Sequence, residues 1–145
     1  MTNLVVAMLT ALVTAIVTWF GTNYFGRSLL RFWDLRVEAH KAILVSDKAL
    51  LTNVGIDIDS LRVVMPKLIL WYLRKRGYDP HSAAKGLIEL SNRLGAGDVS
   101  EGYDAACLRV HVQNALHLPI ETHDRDLAES RLRLENSGIW PPLIQ

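Results

Sequence analysis

The first 26 residues, Met1 to Gly26, contain no Lys, Arg, Asp or Glu; all 31 such residues of the chain lie from Arg27 onward. A domain folded in water does not leave so long a run without a charge, so two physically different segments have been joined. From Leu4 the run reads LVVAMLTALVTAIVTWFGTNYF, 22 residues. As an α-helix it is roughly 33 Å long, close to the hydrocarbon thickness of a bilayer. Nine of its first 17 residues are Leu, Val, Ile or Phe, and these contribute on the order of −3 to −5 kcal/mol to insertion. Ala and Thr are nearly neutral, and a helix satisfies its own backbone groups in lipid. Trp19, Phe20, Tyr24 and Phe25 gather just before Arg27, where an interfacial aromatic belt is expected. A cleavable signal would carry Lys or Arg ahead of the apolar run and a small-x-small site behind it, and the sequence has neither in convincing form. The expectation is a transmembrane anchor over residues 1–26, with Trp19, Tyr24, Arg27, Arg31 and Trp33 at the membrane interface.

Sidedness follows from the basic residues beside the span. Arg27, Arg31, Arg36 and Lys41 follow it, whereas only the α-amino group precedes it. The positive-inside rule then puts the N-terminus outside and the rest of the chain in the cytosol.

A second pattern runs within the span. Ala7, Ala11 and Ala15 recur every fourth residue, as do Thr10, Thr14 and Thr18. The rows are offset by three residues and lie side by side, forming a broad face of small side chains. Such a face lets a second helix approach closely, with threonine hydroxyls available for interhelical bonds of about 0.6 kcal/mol each. The expected partners are membrane lipid and another membrane protein, or a second copy of the chain, met through this face. The bland alternative is that Ala and Thr simply fill lipid-facing positions.

The remaining 119 residues suffice for one core without staples. Cys107 is the only cysteine, which precludes an intrachain disulfide and suits a reducing compartment. Residues 27–48 are expected to form a juxtamembrane helix, residues 49–136 a helical domain, and residues 137–145 an irregular tail around Pro141 and Pro142. Within the domain, Leu50 to Ser60 carries β-branched residues, a Gly and polar breaks, and is expected as a loop or short strand. Leu61 to Leu73 is the most apolar stretch of the domain; too short and too charged for a second span, it is expected in the core. Pro66 opens a helix to Arg76, ended by Gly77. Asp79 and Pro80 mark an N-cap and first helical residue, and apolar positions recur at helical spacing up to Leu94. A connector at Gly95 to Asp98 follows, then a helix from Ser100 to about Leu118 and a less securely packed terminal helix within 121–136. The fold class is all-α: one transmembrane helix and a bundle of about four or five helices.

Catalytic chemistry is hard to motivate. Asp104, Cys107 and His111 fall on one helical face, but a metal needs further ligands, and nothing identifies His117 or His123 as one. The glycines of RLGAGDVSEG lack the strand, the spacing and the Lys-Ser/Thr of a phosphate loop. Arg74, Lys75 and Arg76 make a poor nucleic-acid footprint in a chain of net charge +1. No catalytic, cofactor-binding or metal residue is assigned, no small-molecule ligand is identified, and no nucleic acid is expected. The reading is a non-enzymatic interaction or accessory subunit at the cytosolic membrane face. The alternatives are a membrane-active protein of toxin or pore-forming type and a membrane-tethered enzyme using Cys107 or His111.

Overall fold

The structure, a computed structural model, describes residues 2–94 and 101–137. The connector at Gly95 to Asp98, the expected helix start at Ser100 and the tail beyond Ser137 lie outside them. Among the described residues every regular element is helical, in keeping with an all-α chain. The first is a single rod. Helix α1 (Thr2–Phe20) passes through a π-helical turn (Gly21–Gly26) into α2 (Arg27–Val45) without a break. From Leu4 to Val45 it holds 42 residues, a length of about 63 Å. Only its second half joins a core: Phe32, Leu35, Ala39, Ala42 and Ile43 of α2 are buried.

The rod stops where Ser46 turns left-handed (φ 53°) and its N–H bonds the carbonyls of Ala42 and Ile43. Asp47 then caps α3 (Lys48–Val64), accepting from the amides of Ala49 and Leu50 at 2.8 and 3.1 Å. This two-residue connection folds α3 back along α2.

Helix α3 overturns the expected loop or strand over Leu50 to Ser60. The β-branched residues and Gly55 obscure the pattern, yet Leu51, Val54, Gly55 and Ile58 recur at helical spacing and form its buried face. Gly55 is a packing device there. A Cβ at that position would stand 2.8 Å from Ile88 Cγ1 and 3.1 Å from the Ala84 carbonyl oxygen, so its absence lets the helix that carries those residues approach.

Met65 is extended ahead of Pro66, as the proline ring requires. Pro66 is the N-cap of α4 (Lys67–Lys75) and not its first residue. Gly77 (φ +86°) supplies the left-handed turn past the end of α4, and Arg74 and Lys75 stand at the negative pole of its dipole. Asp79 caps α5 (Pro80–Arg93) as its sequence announces. Helix α6 (Glu101–Ala115) ends earlier than the expected Leu118, because His117 turns left-handed (φ 50°). The Leu118 and His117 amides bond back to the Gln113 and Asn114 carbonyls, a Schellman closure with a non-glycine at its turning point.

Helix α7 (Thr122–Asn136) is bound more firmly than expected. Asp124, Ala128 and Arg131 are buried against α6. Arg109 donates to both carboxylate oxygens of Asp124 at 2.8 and 2.7 Å, a bidentate pair in which Asp124 is almost fully covered. In packing order, α2 lies on α3, α3 on α5, α5 on α6 and α6 on α7.

Candidate functional site

Helix α1 is the feature that ordinary folding does not explain. From Leu4 to Phe20 every residue is exposed. Eleven of these are large hydrophobics, among them Leu4 at 66 % and Met8 at 68 % exposure. Burying such a side chain is worth about 1.5 kcal/mol or more. Left in water, the eleven would forgo more than the whole stability of a typical domain. The helix is long and apolar enough to cross a bilayer, and none of its apolar window is covered by the rest of the protein.

The small-residue rows lie within this exposed surface: Ala7, Thr10, Ala11, Thr14, Ala15 and Thr18 are all uncovered. Two of the hydroxyls are already used locally. Thr10 Oγ1 donates to the Val6 carbonyl and Thr14 Oγ1 to the Thr10 carbonyl, each at 2.8 Å. Those protons are not free for a neighbouring helix, which leaves the oxygens as acceptors and the low profile of the face as its main property.

The far end of α1 meets the π-helical turn. Thr22 donates to the Thr18 carbonyl at 2.8 Å and Asn23 to the Trp19 carbonyl at 3.1 Å, supplying side-chain donors where the backbone ladder changes register. Trp19 and Tyr24 are exposed, and Phe20 stacks on Tyr24 with ring centroids 5.3 Å apart. Arg27 is exposed as well. Beyond it the expected interface residues diverge. Arg31 is half-exposed and reaches Asp57 at 3.4 Å and Glu38 at 3.9 Å. Trp33 is partly buried, edge-on to Phe32 and Tyr78 at 5.6 and 5.4 Å. Arg36 lies over Trp33 and donates to the carbonyls of Leu116 and His117, holding the C-terminus of α6 against α2.

Sequence reasoning alone misses the outer face of α4. The inner face of this helix buries Ile69 and Leu73, while the outer face exposes Leu68, Trp71 and Tyr72. Together with Phe25, Gly26 and Leu29 of the rod, that outer face borders an almost wholly apolar groove of about 470 Å³. The signal in the sequence is an apolar stretch with interleaved aromatics ending in Arg74, Lys75 and Arg76, a pattern that a core helix also produces.

Two of the three α6 residues that could suggest chemistry are engaged in packing between helices. Asp104 is buried and accepts from Arg131 at 3.0 Å and from Arg93 at 3.3 Å. Cys107 is half-buried with its Sγ 3.8 Å from the Ala128 carbonyl oxygen, and burial pushes its thiol above the usual range. A thiol held protonated is a poor nucleophile. His111 is exposed. Among the described residues no three His, Cys, Asp or Glu side chains come together as metal ligands would. Comparison with family models, with curated proteins and with solved structures returned no match.

Proposed function

We propose that this chain is a single-pass membrane-anchored accessory or interaction subunit, with α1 spanning the bilayer and the bundle held at the cytosolic face. The observation that carries the proposal is the charge-free α1, exposed at every residue from Leu4 to Phe20 and running without a loop into a helix of the packed core. Lipid is the solvent that removes the cost of that exposure. Arg27, Arg31, Arg36 and Lys41 support the cytosolic placement of the bundle, since they follow the span and act on topology as it inserts. The small-residue face of α1 supports a partner within the membrane, either another membrane protein or a second copy.

Crosslinking in intact membranes followed by purification in mild detergent tests the role. A co-purifying membrane protein or a crosslinked dimer is expected. Recovery of the free monomer alone would count against it. Extraction by an alkaline wash with the N-terminus intact would remove the anchor itself, and a reporter fused after Gln145 that works only outside the cytosol should stay silent.

A further inference from the structure

We infer that the outer face of α4 is a second membrane contact, seated in the headgroup layer of the leaflet from which α1 emerges, with lipid acyl chains filling the groove beside it. The inference rests on the anchoring reading above and adds a surface to it.

Position is the first argument. The groove is bordered by α4 through Leu68, Trp71 and Tyr72, and by the rod through Phe25, Gly26 and Leu29. Phe25 and Gly26 close the charge-free run and Leu29 stands just past it, so α4 lies at the depth where the chain leaves the hydrocarbon. The turn before α4 is at the same level. Counting about sixteen residues from the Ser46–Asp47 turn reaches Leu30 along α2 and Val63 along α3, and helices rise equally per residue. Leu30, Val63 and Val64 are each about two-thirds exposed or more. Uncovered apolar side chains of α2 and α3 therefore add to the apolar rim at the level where the span ends.

Composition is the second argument. Between Ser60 and Asp79 there is no acidic residue, but there are Arg62, Lys67, Arg74, Lys75 and Arg76. Arg62 is paired with Asp59 at 3.0 Å, which leaves four cations on or beside α4. Lys75 Nζ lies 5.1 Å from the centre of the Trp71 ring and the Arg76 guanidinium 5.6 Å from that of Tyr72. Aromatic rings at the acyl boundary with cations reaching outward to phosphate are what an anionic headgroup layer accommodates. A protein partner or a second copy would have to cover the same rim against the bilayer surface, where lipid already stands. Lipid is thus the occupant that position and charge both favour.

The test uses the full chain with Cys107→Ala, reconstituted in phosphatidylcholine vesicles containing about one quarter phosphatidylglycerol. Single spin-labelled cysteines are placed at Leu68, at Trp71, at Leu12 in the span and at Lys48 at the distal end of α3, and unchanged helicity checks each fold. Collision with oxygen reports lipid, and collision with a water-soluble nickel chelate reports solvent. Labels at Leu68 and Trp71 should favour oxygen by about threefold or more relative to Lys48, at a depth shallower than Leu12. If Leu12 reads as lipid but Leu68 and Trp71 read like Lys48, the second contact is refuted and the anchor stands. If Leu12 itself reads as water, the anchoring reading has failed. If Leu68 and Trp71 are shielded from both probes and broaden with the fraction of labelled chains, a second copy covers α4 and the inference is overturned.

Discussion

Gly86 in α5 offers a quantitative test of how tightly the bundle is packed. A Cβ placed on it would stand 2.6 Å from Val112 Cγ2 and 3.5 Å from His111 Cδ2. Carbon atoms in contact need about 3.6 Å, so Gly86→Ala requires roughly 1 Å of movement. Val112 cannot give that by rotating. It is fully buried, and a β-branched residue in a helix has essentially one rotamer. The helices must therefore separate, and overpacking of this kind costs about 1–3 kcal/mol. Opposing it, alanine is favoured over glycine inside a helix by about 1 kcal/mol. The steric term wins, with a net loss of about 1 kcal/mol and a fall in Tm of about 4 °C for a domain of this size. Gly102, where an added Cβ would meet nothing within 4 Å, provides the control. Gly102→Ala should raise Tm through the propensity gain alone, about 0.4–1 kcal/mol. Thermal unfolding of the full chain in one mild detergent, followed by helical circular dichroism, measures both. The double variant Gly86→Ala with Val112→Ala should be less destabilised than the two singles imply, because trimming Val112 removes the clash. If Gly86→Ala stabilises as Gly102→Ala does, or if the cycle is additive, the close contact of α5 and α6 is refuted.

Other consequences concern charge. Asp104→Ala removes the buried carboxylate that accepts from both Arg131 and Arg93, while Arg131 keeps Glu135 at 3.5 Å, and should lower Tm by the equivalent of about 1–3 kcal/mol. Cys107 should react with iodoacetamide at neutral pH more slowly than a free thiol, because burial raises its thiol, and at the normal rate once the domain is unfolded by guanidinium. Burial acts to raise the Asp79 carboxyl, but the Ser82 hydroxyl and the Ser82 and His81 amides outweigh it and hold the group below its ordinary value. Its contribution is therefore complete above the unfolded value of about 3.9 and disappears as pH falls through the lower folded one. Asp79→Asn should flatten the decline of Tm in that acidic window while leaving the cap at neutral pH nearly intact.

What can be read from the sequence is whatever depends on near neighbours or on gross charge. The uncovered apolar helix is announced by the absence of charge before Arg27, and the start of α5 by the adjacent Asp79 and Pro80. Helix α3 is hidden because Gly55 counts locally as a breaker, whereas its value lies in admitting Ala84 and Ile88 from another helix. The end of α6 is hidden for a similar reason. A left-handed histidine is unfavourable by itself, and His117 is held by Arg36, some 80 residues away, and by the Tyr78 ring with its centroid 4.6 Å distant. Arg131 resembles a solvated charge on a polar helix until α6 brings Asp104 to it. Among the expected interface residues, Trp19, Tyr24 and Arg27 keep the exposure their types suggest, while Trp33 is drawn, with Arg36, into packing that position in the chain does not reveal.

The rod gives these details a mechanical meaning. A flexible linker after the span would let the bundle sample many orientations, but α1 reaches α2 through a turn whose carbonyls at Thr18 and Trp19 are secured by Thr22 and Asn23. Helix α2 is in turn fixed by five buried side chains and by the Arg36 clamp on α6. Reorienting the bundle relative to α1 would mean breaking helix or exposing core, and either costs several kcal/mol. With α1 in lipid, the same side of the bundle would always face the bilayer. That constraint is what would let α4 act as an interfacial helix although it has only nine residues. Alone, a segment so short bears its full ordering cost and holds little secondary structure in water. Here Ile69 and Leu73 have already ordered it against the core, and the rod would already have brought it to the surface, so modest attraction to headgroups would suffice to hold it there.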